Sequence, residues 1–118
     1  MDKNVVMKVL GIGNAIIDVI CKVDDDFIIK NNLTKGTMKL VFDKSEFTSL
    51  LSKLKIEKNI SGGSVANSIV GLSQLGNKVG FIGKVSDDEF GKKYEEGLKN
   101  ENVDYFYSKK KEDLPTGT

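Results

Sequence analysis

The residues with the most capacity for chemistry fall in two short stretches, "GIGNAIID" (Gly11–Asp18) and "SGGSVANS" (Ser61–Ser68). In the first, Gly13 permits a tight turn, and Asn14 offers both a donor and an acceptor. Asp18 interrupts an apolar run, "IIDVI". A carboxylate withdrawn from water there is costly unless something donates to it. A vicinal diol, as on ribose or another sugar, would supply two donors to its two oxygens. The plainer alternative is that Asn14 caps a turn and Asp18 faces water on an edge strand. Composition alone favours the plainer reading. In the second stretch, Gly62 and Gly63 directly precede a helix start, where N–H groups outside the helical ladder suit a ligand hydroxyl or another acceptor. Asn67 lies one turn in, and helical side chains lean back toward the N-terminus. Taken alone, the same glycines also describe an ordinary strand–turn–helix junction.

Other chemistries fit less well. A dinucleotide fingerprint G-x-G-x-x-G would need its third glycine at Ile16, and a helix where a strand-like pattern follows Gly13. A P-loop needs G-K-[ST], which does not follow Gly63. The acids of "SDDEFG" (Ser86–Gly91) and "DDD" (Asp24–Asp26) suit first helical turns, where negative charge favours the macrodipole. Histidine is absent, so histidine triads and the usual zinc sites are excluded within these 118 residues. All 18 basic residues are lysine, so there is no guanidinium clamp for phosphate or carboxylate. The net charge of +1 gives no strong field toward nucleic acid or an acidic membrane. The single cysteine, Cys21, suits packing in a reducing compartment. No run approaches a membrane span and no targeting segment is visible, so the default location is the cytoplasm.

The elements that must position these residues follow from the patterning. Val5–Gly13, Ile16–Val23 and Gly36–Phe42 read as strands, with a short helical turn at "DDDFIIKNN" between the last two. Asp43 and Glu46 have capping-box spacing, and Phe42 and Phe47 that of a hydrophobic staple, opening a helix with Phe47, Leu50, Leu51 and Leu54 on one face. "KIEKNI" is a short strand. Ser64–Leu75 reads as a helix closed by Gly76, and Lys78–Val85 as a strand. Ser86 and Glu89, with Val85 and Phe90, predict a second capped helix, running to about Lys99 with Phe90, Tyr94 and Leu98 aligned. "VDYFY" is a strand, "SKKKED" a solvated charged turn, and "LPTGT" the start of a further strand. Strands alternating with helices in the second half indicate α/β with a parallel sheet. The strands before residue 43 suggest a β excursion. Three substantial helices are few for a parallel sheet covered on both faces, which suggests a partial domain.

In this order the pieces resemble the ribokinase-like (PfkB) family of sugar and nucleoside kinases over essentially the whole chain. "GIGNAIID" is similar to that family's opening strand and substrate loop. "SGGSVANSIVGLSQLG" followed by "KVGFIGKVSDDEFG" resembles its first signature, and "NVDYFY" and "PTGT" the strand and lid re-entry that follow. The G-N-x-x-x-D spacing is closer to the adenosine-kinase-like branch than to ribokinase proper. The resemblance implies the N-terminal part of a ribokinase-like, Rossmann-type parallel sheet with helices, plus part of a small β lid. The core would comprise 5–13 and 43–114, the partial lid 16–42, with lid re-entry from 116. It implies that Asn14, Asp18, Gly62, Gly63 and Asn67 hold the substrate's hydroxyls, and that Met38 and Leu40 belong to a lid that excludes water on closing. The implied activity is ATP-dependent phosphorylation of a primary hydroxyl on a sugar or nucleoside. The second signature with its catalytic aspartate, and the residues around ATP and Mg2+, would lie downstream of Thr118. No catalytic or metal-binding residue is therefore expected in this chain. The rival readings are a non-catalytic sugar- or nucleoside-binding module and a dinucleotide-binding domain. Exposed lid strands would favour dimerisation.

Overall fold

The structure is a computed structural model that describes residues 6–107 and 114–118. The elements in order are β1 (Val9–Ile12), β2 (Ile16–Cys21), α1 (Asp25–Lys30), α2 (Lys44–Ser52), β3 (Ile56–Gly62), α3 (Ser64–Gln74), β4 (Val79–Ile82), α4 (Glu89–Asn100) and β5 (Val103–Tyr105). They form a mixed α/β fold with a three-stranded parallel sheet ordered β1-β4-β5. Val9 stands opposite Val79, and Val79 opposite Val103. Parallel neighbours need a crossover, and α3 and α4 supply the two. β2 and β3 form a separate two-stranded antiparallel ribbon.

The alternation of strand residues places the core. Val79 and Phe81 of β4 and Val103 of β5 are buried with Ala66 and Ile69 of α3 and Tyr94 and Leu98 of α4. Phe81, Tyr94 and Tyr105 pack as a ring cluster with centroids 6.1–6.5 Å apart. On β1, Gly11 faces Val65 and Ile69 of α3. Its neighbours Leu10 and Ile12 therefore point to the opposite sheet face, where they are 49% and 69% exposed. α3 and α4 pack on the other face, that of Gly11 and Phe81. The terminal segment returns to the ribbon. Gly117 bridges Ile16 in parallel fashion, and Ile17 N–H donates to Gly117 O at 2.9 Å.

The chain divides into two compact units, a larger one of Met1–Val19 and Asn59–Thr118 and a smaller one of Ile20–Lys58. The smaller unit holds α1 and α2, neither of which has a buried residue. The strand expected at Gly36–Phe42 does not form, so that part of the expected β lid is irregular chain. No strand among the described residues runs beside it to take its N–H and C=O groups. Met38, Leu40 and Phe42 stand 89%, 62% and 88% exposed. Phe42 therefore makes no staple with Phe47, and α2 is held at its start by Asp43, whose carboxylate accepts from Ser45 N–H and Oγ. At α4 the cap is Asp88, two residues later than Ser86. The expected turn "SKKKED" and the first residue of the expected strand at Val5 lie outside the described residues.

Candidate substrate-binding site

β1 ends at Ile12, and Gly13, Asn14 and Ala15 turn the chain into β2, where Asp18 occupies the third position. Ile17, its neighbour, is buried, so alternation turns Asp18 outward. β3 ends at Gly62 and α3 begins at Ser64, leaving Gly63 alone as the helix N-cap.

These two turns meet. Asp18 Oδ2 lies 2.5 Å from where a Cβ on Gly62 would stand, closer than any real Cβ approaches. A Cβ on Gly63 would strike the Asn14 carbonyl oxygen. Gly63 also has φ of 100°, a conformation that L side chains rarely adopt. At Gly62 the limit is contact with the Asp18 side chain, and at Gly63 it is both contact with backbone and the positive φ. Asp18 is exposed, and it lies against the diglycine. Gly63 offers no side-chain cap to α3. Its carbonyl accepts the first helical bond, from Asn67 N–H at 2.9 Å. The N–H groups of the first turn have no intrahelical acceptors.

The structure therefore brings together Asn14, Asp18, Gly62 and Gly63. Asn67 is exposed one turn along α3, and no hydrogen bond among the described residues ties its side chain to the other four. Met38 and Leu40 lie in the smaller unit and face solvent. A strand, not a helix, follows Gly13, so the dinucleotide-binding alternative lacks its helix N-terminus.

Two supports of the site escaped sequence reasoning. Tyr94 is fully buried on α4 and donates its hydroxyl to Gly62 O at 3.1 Å. Burial pushes its phenol up to about 12. The available signal was a tyrosine, rather than a phenylalanine, on the inward face of an amphipathic helix, because a buried hydroxyl needs a partner. Asp88, read only as a helix-start acid, accepts from Gly91 N–H, Thr116 N–H and Thr116 Oγ1. Burial alone would raise its pKa, but the hydrogen bonds from Thr116 and Gly91 outweigh it and hold the carboxyl below the usual range.

The chain matches the pfkB family carbohydrate kinase over residues 7–118. It belongs to the PfkB family. The chain is 38% identical over 96 residues to a 5-dehydro-2-deoxygluconokinase of Mesomycoplasma hyopneumoniae (strain 7448), a match covering 81% of this chain and 27% of that protein. Among solved structures, a probable sugar kinase from Rhizobium etli CFN 42 superposes with a TM-score of 0.75 at 34% identity, covering 93% of this chain and 33% of its own. An adenosine kinase from Sinorhizobium meliloti does so with a TM-score of 0.75 at 33% identity and the same coverage. This PfkB chain thus spans about a third or less of the length of the proteins it matches. The family generally uses ATP and a divalent metal. Among the described residues no three His, Cys, Asp or Glu side chains are placed to hold a metal ion, so these residues do not fit one by themselves. What the arrangement at Asp18 and the diglycine can do is accept hydrogen bonds at the carboxylate and donate them from the first-turn N–H groups.

Proposed function

We propose that this chain is the N-terminal, substrate-binding part of an ATP-dependent kinase that phosphorylates a primary hydroxyl of a sugar or nucleoside. The observation that carries the reading is the seating of the Asp18 carboxylate on Gly62, within a family of sugar and nucleoside kinases. In this reading the two Asp18 oxygens accept from neighbouring hydroxyls of the substrate. The first-turn N–H groups of α3 donate to a hydroxyl oxygen, and the amides of Asn14 and Asn67 fix which face of the sugar is presented. Because the diglycine carries no side chain, the sugar can approach the backbone itself. Holding the diol orients the remaining primary hydroxyl, which is the contribution of positioning to phosphoryl transfer. ATP and Mg2+ belong to the longer protein in this proposal. The relatives named for a gluconate derivative and for adenosine bracket the substrate class. Self-association through exposed edges of the β2–β3 ribbon and a cytoplasmic location belong to the same proposal.

Titration calorimetry with adenosine, ribose, fructose and NAD tests it. The expected result is millimolar or tighter binding of at least one of the first three, weakened in Asp18→Asn with the melting temperature unchanged. Binding of NAD alone would overturn the reading. So would an Asp18→Asn variant that loses stability and keeps its affinity.

A further inference from the structure

Resting on that reading, we infer that Tyr94 is a positioning residue for the sugar site, holding the diglycine floor through a reciprocal clamp between α4 and the end of β3. Two hydrogen bonds make the clamp, running in opposite directions between the same two elements. Tyr94 Oη donates to Gly62 O at 3.1 Å, and Ser61 Oγ donates to Tyr94 O at 2.9 Å. The side chain of each element thus satisfies the backbone of the other.

The clamp is built for close approach. Tyr94 has 0% exposure and is gripped by Phe81 and Tyr105, so its ring has little freedom to carry the hydroxyl elsewhere. One turn further along α4, a Cβ at Gly97 would collide with Ser61 Oγ, so α4 reaches β3 only because residue 97 is glycine. The bond falls on the peptide that joins Gly62 to Gly63. Fixing that carbonyl fixes the Gly63 N–H at its other end, since the peptide is planar. Gly62 and Gly63 are the two residues of the chain segment with the least steric control of their own backbone. Asp18 and Asn14 lie against them from one side, and Tyr94 holds the Gly62 carbonyl. Without the hydroxyl, the Gly62 carbonyl loses its only side-chain donor among the described residues, and the peptide gains freedom to rotate away from the sugar.

Tyr94→Phe keeps the ring and removes the donor. A matched control, Val103→Ala, destabilises the core and removes neither hydrogen bond of the clamp. Wild type and both variants are titrated with adenosine, ribose and fructose at a temperature where all three are folded. The Gly62 carbonyl-carbon and Gly63 amide resonances are followed in parallel. Tyr94→Phe is expected to weaken the bound sugar by about tenfold and to move both resonances. Val103→Ala should leave affinity and resonances as in wild type. Ser61→Ala, which opens only the other half of the clamp, should give a smaller loss in the same direction, and serves where Tyr94→Phe does not fold. Wild-type affinity and unmoved resonances in folded Tyr94→Phe, or in Ser61→Ala in its place, would overturn the positioning role alone. If wild type binds none of the three sugars, the proposed function falls and the positioning role falls with it.

Discussion

Asp88 and Thr116, 28 residues apart in sequence, are joined by two hydrogen bonds. The Asp88 carboxylate accepts from Thr116 N–H at 2.8 Å and from Thr116 Oγ1 at 2.6 Å. The same carboxylate caps α4 through Gly91 N–H at 2.7 Å, and Thr116 Oγ1 in turn accepts from Ser86 N–H at 3.0 Å. One side chain therefore ties a helix start to the segment whose Gly117 pairs with the β2 ribbon.

Asp88→Ala should lower stability by about 1–2 kcal/mol, the usual cost of a lost helix cap with a further bond attached. The companion signature is in pH. The folded-state pKa of Asp88 is depressed, so its contribution is fully present above the unfolded value near ~3.9 and is lost as pH falls through the folded pKa. Denaturant midpoints measured at falling pH should decline less steeply in Asp88→Asn than in wild type. An equal decline would show that Asp88 is not the group responsible.

The two glycines of the floor should respond differently to alanine. At Gly62 the obstacle is Asp18 Oδ2, the end of an exposed side chain that can swing aside. Gly62→Ala should therefore cost less than ~1 kcal/mol in stability while displacing the carboxylate and abolishing sugar binding. At Gly63 the obstacle is the Asn14 backbone, and φ is +100°. Gly63→Ala should cost about 1–3 kcal/mol. Chemical denaturation beside calorimetry separates the two.

Alkaline pH should loosen the core. Burial pushes Tyr94 up to about 12, and it pushes Tyr105 up as well, with help from the nearby Tyr94, Glu95 and Tyr107. A raised pKa in the folded state means stability that is complete below the unfolded value near ~10 and is lost as pH climbs toward the folded one. Thermal melts across that window should fall with pH, and Tyr94→Phe should show the shallower slope whatever its starting stability.

Ile12 and Leu10 offer a test of the exposed side of β1. Replacing Ile12 by lysine should change stability by no more than ~0.5 kcal/mol, because that side chain is already largely in water, and replacing the half-exposed Leu10 should cost more. Binding of a hydrophobic dye such as ANS should fall in the same variants. A large loss of stability would mean that the face is covered in solution.

Local patterning announced the elements of the sheet unit well. β1, α3, β4 and α4 carry strong hydrophobic periodicity with glycine or acid punctuation, and each forms within a few residues of its expected limits. Gly36–Phe42 has the same alternation, yet a strand is a property of two segments, and the second segment is missing among the described residues. The site shows the same division. Gly62 and Gly63 could be singled out because backbone demands leave glycine in the sequence, and Asn14 and Asp18 because polar residues interrupt apolar runs. Tyr94 and Asp88 carried weaker signals. Tyr94 has the spacing of a core residue and Asp88 that of a cap, and only the fold reveals that the hydroxyl of one and the second oxygen of the other are engaged some thirty residues away.

The absence of any buried residue from α1 and α2 has a thermodynamic consequence. Ile20–Lys58 buries little apolar surface of its own, so it should form a separate, weaker cooperative unit within the fold. Amide protons of α1 and α2 should exchange through local opening, while those of β4, α4 and the clamped end of β3 wait for global unfolding. The β2–β3 ribbon would then have a protected end at Asp18 and Gly62 and a fraying end at Cys21 and Ile56, a gradient of protection along a single pair of strands.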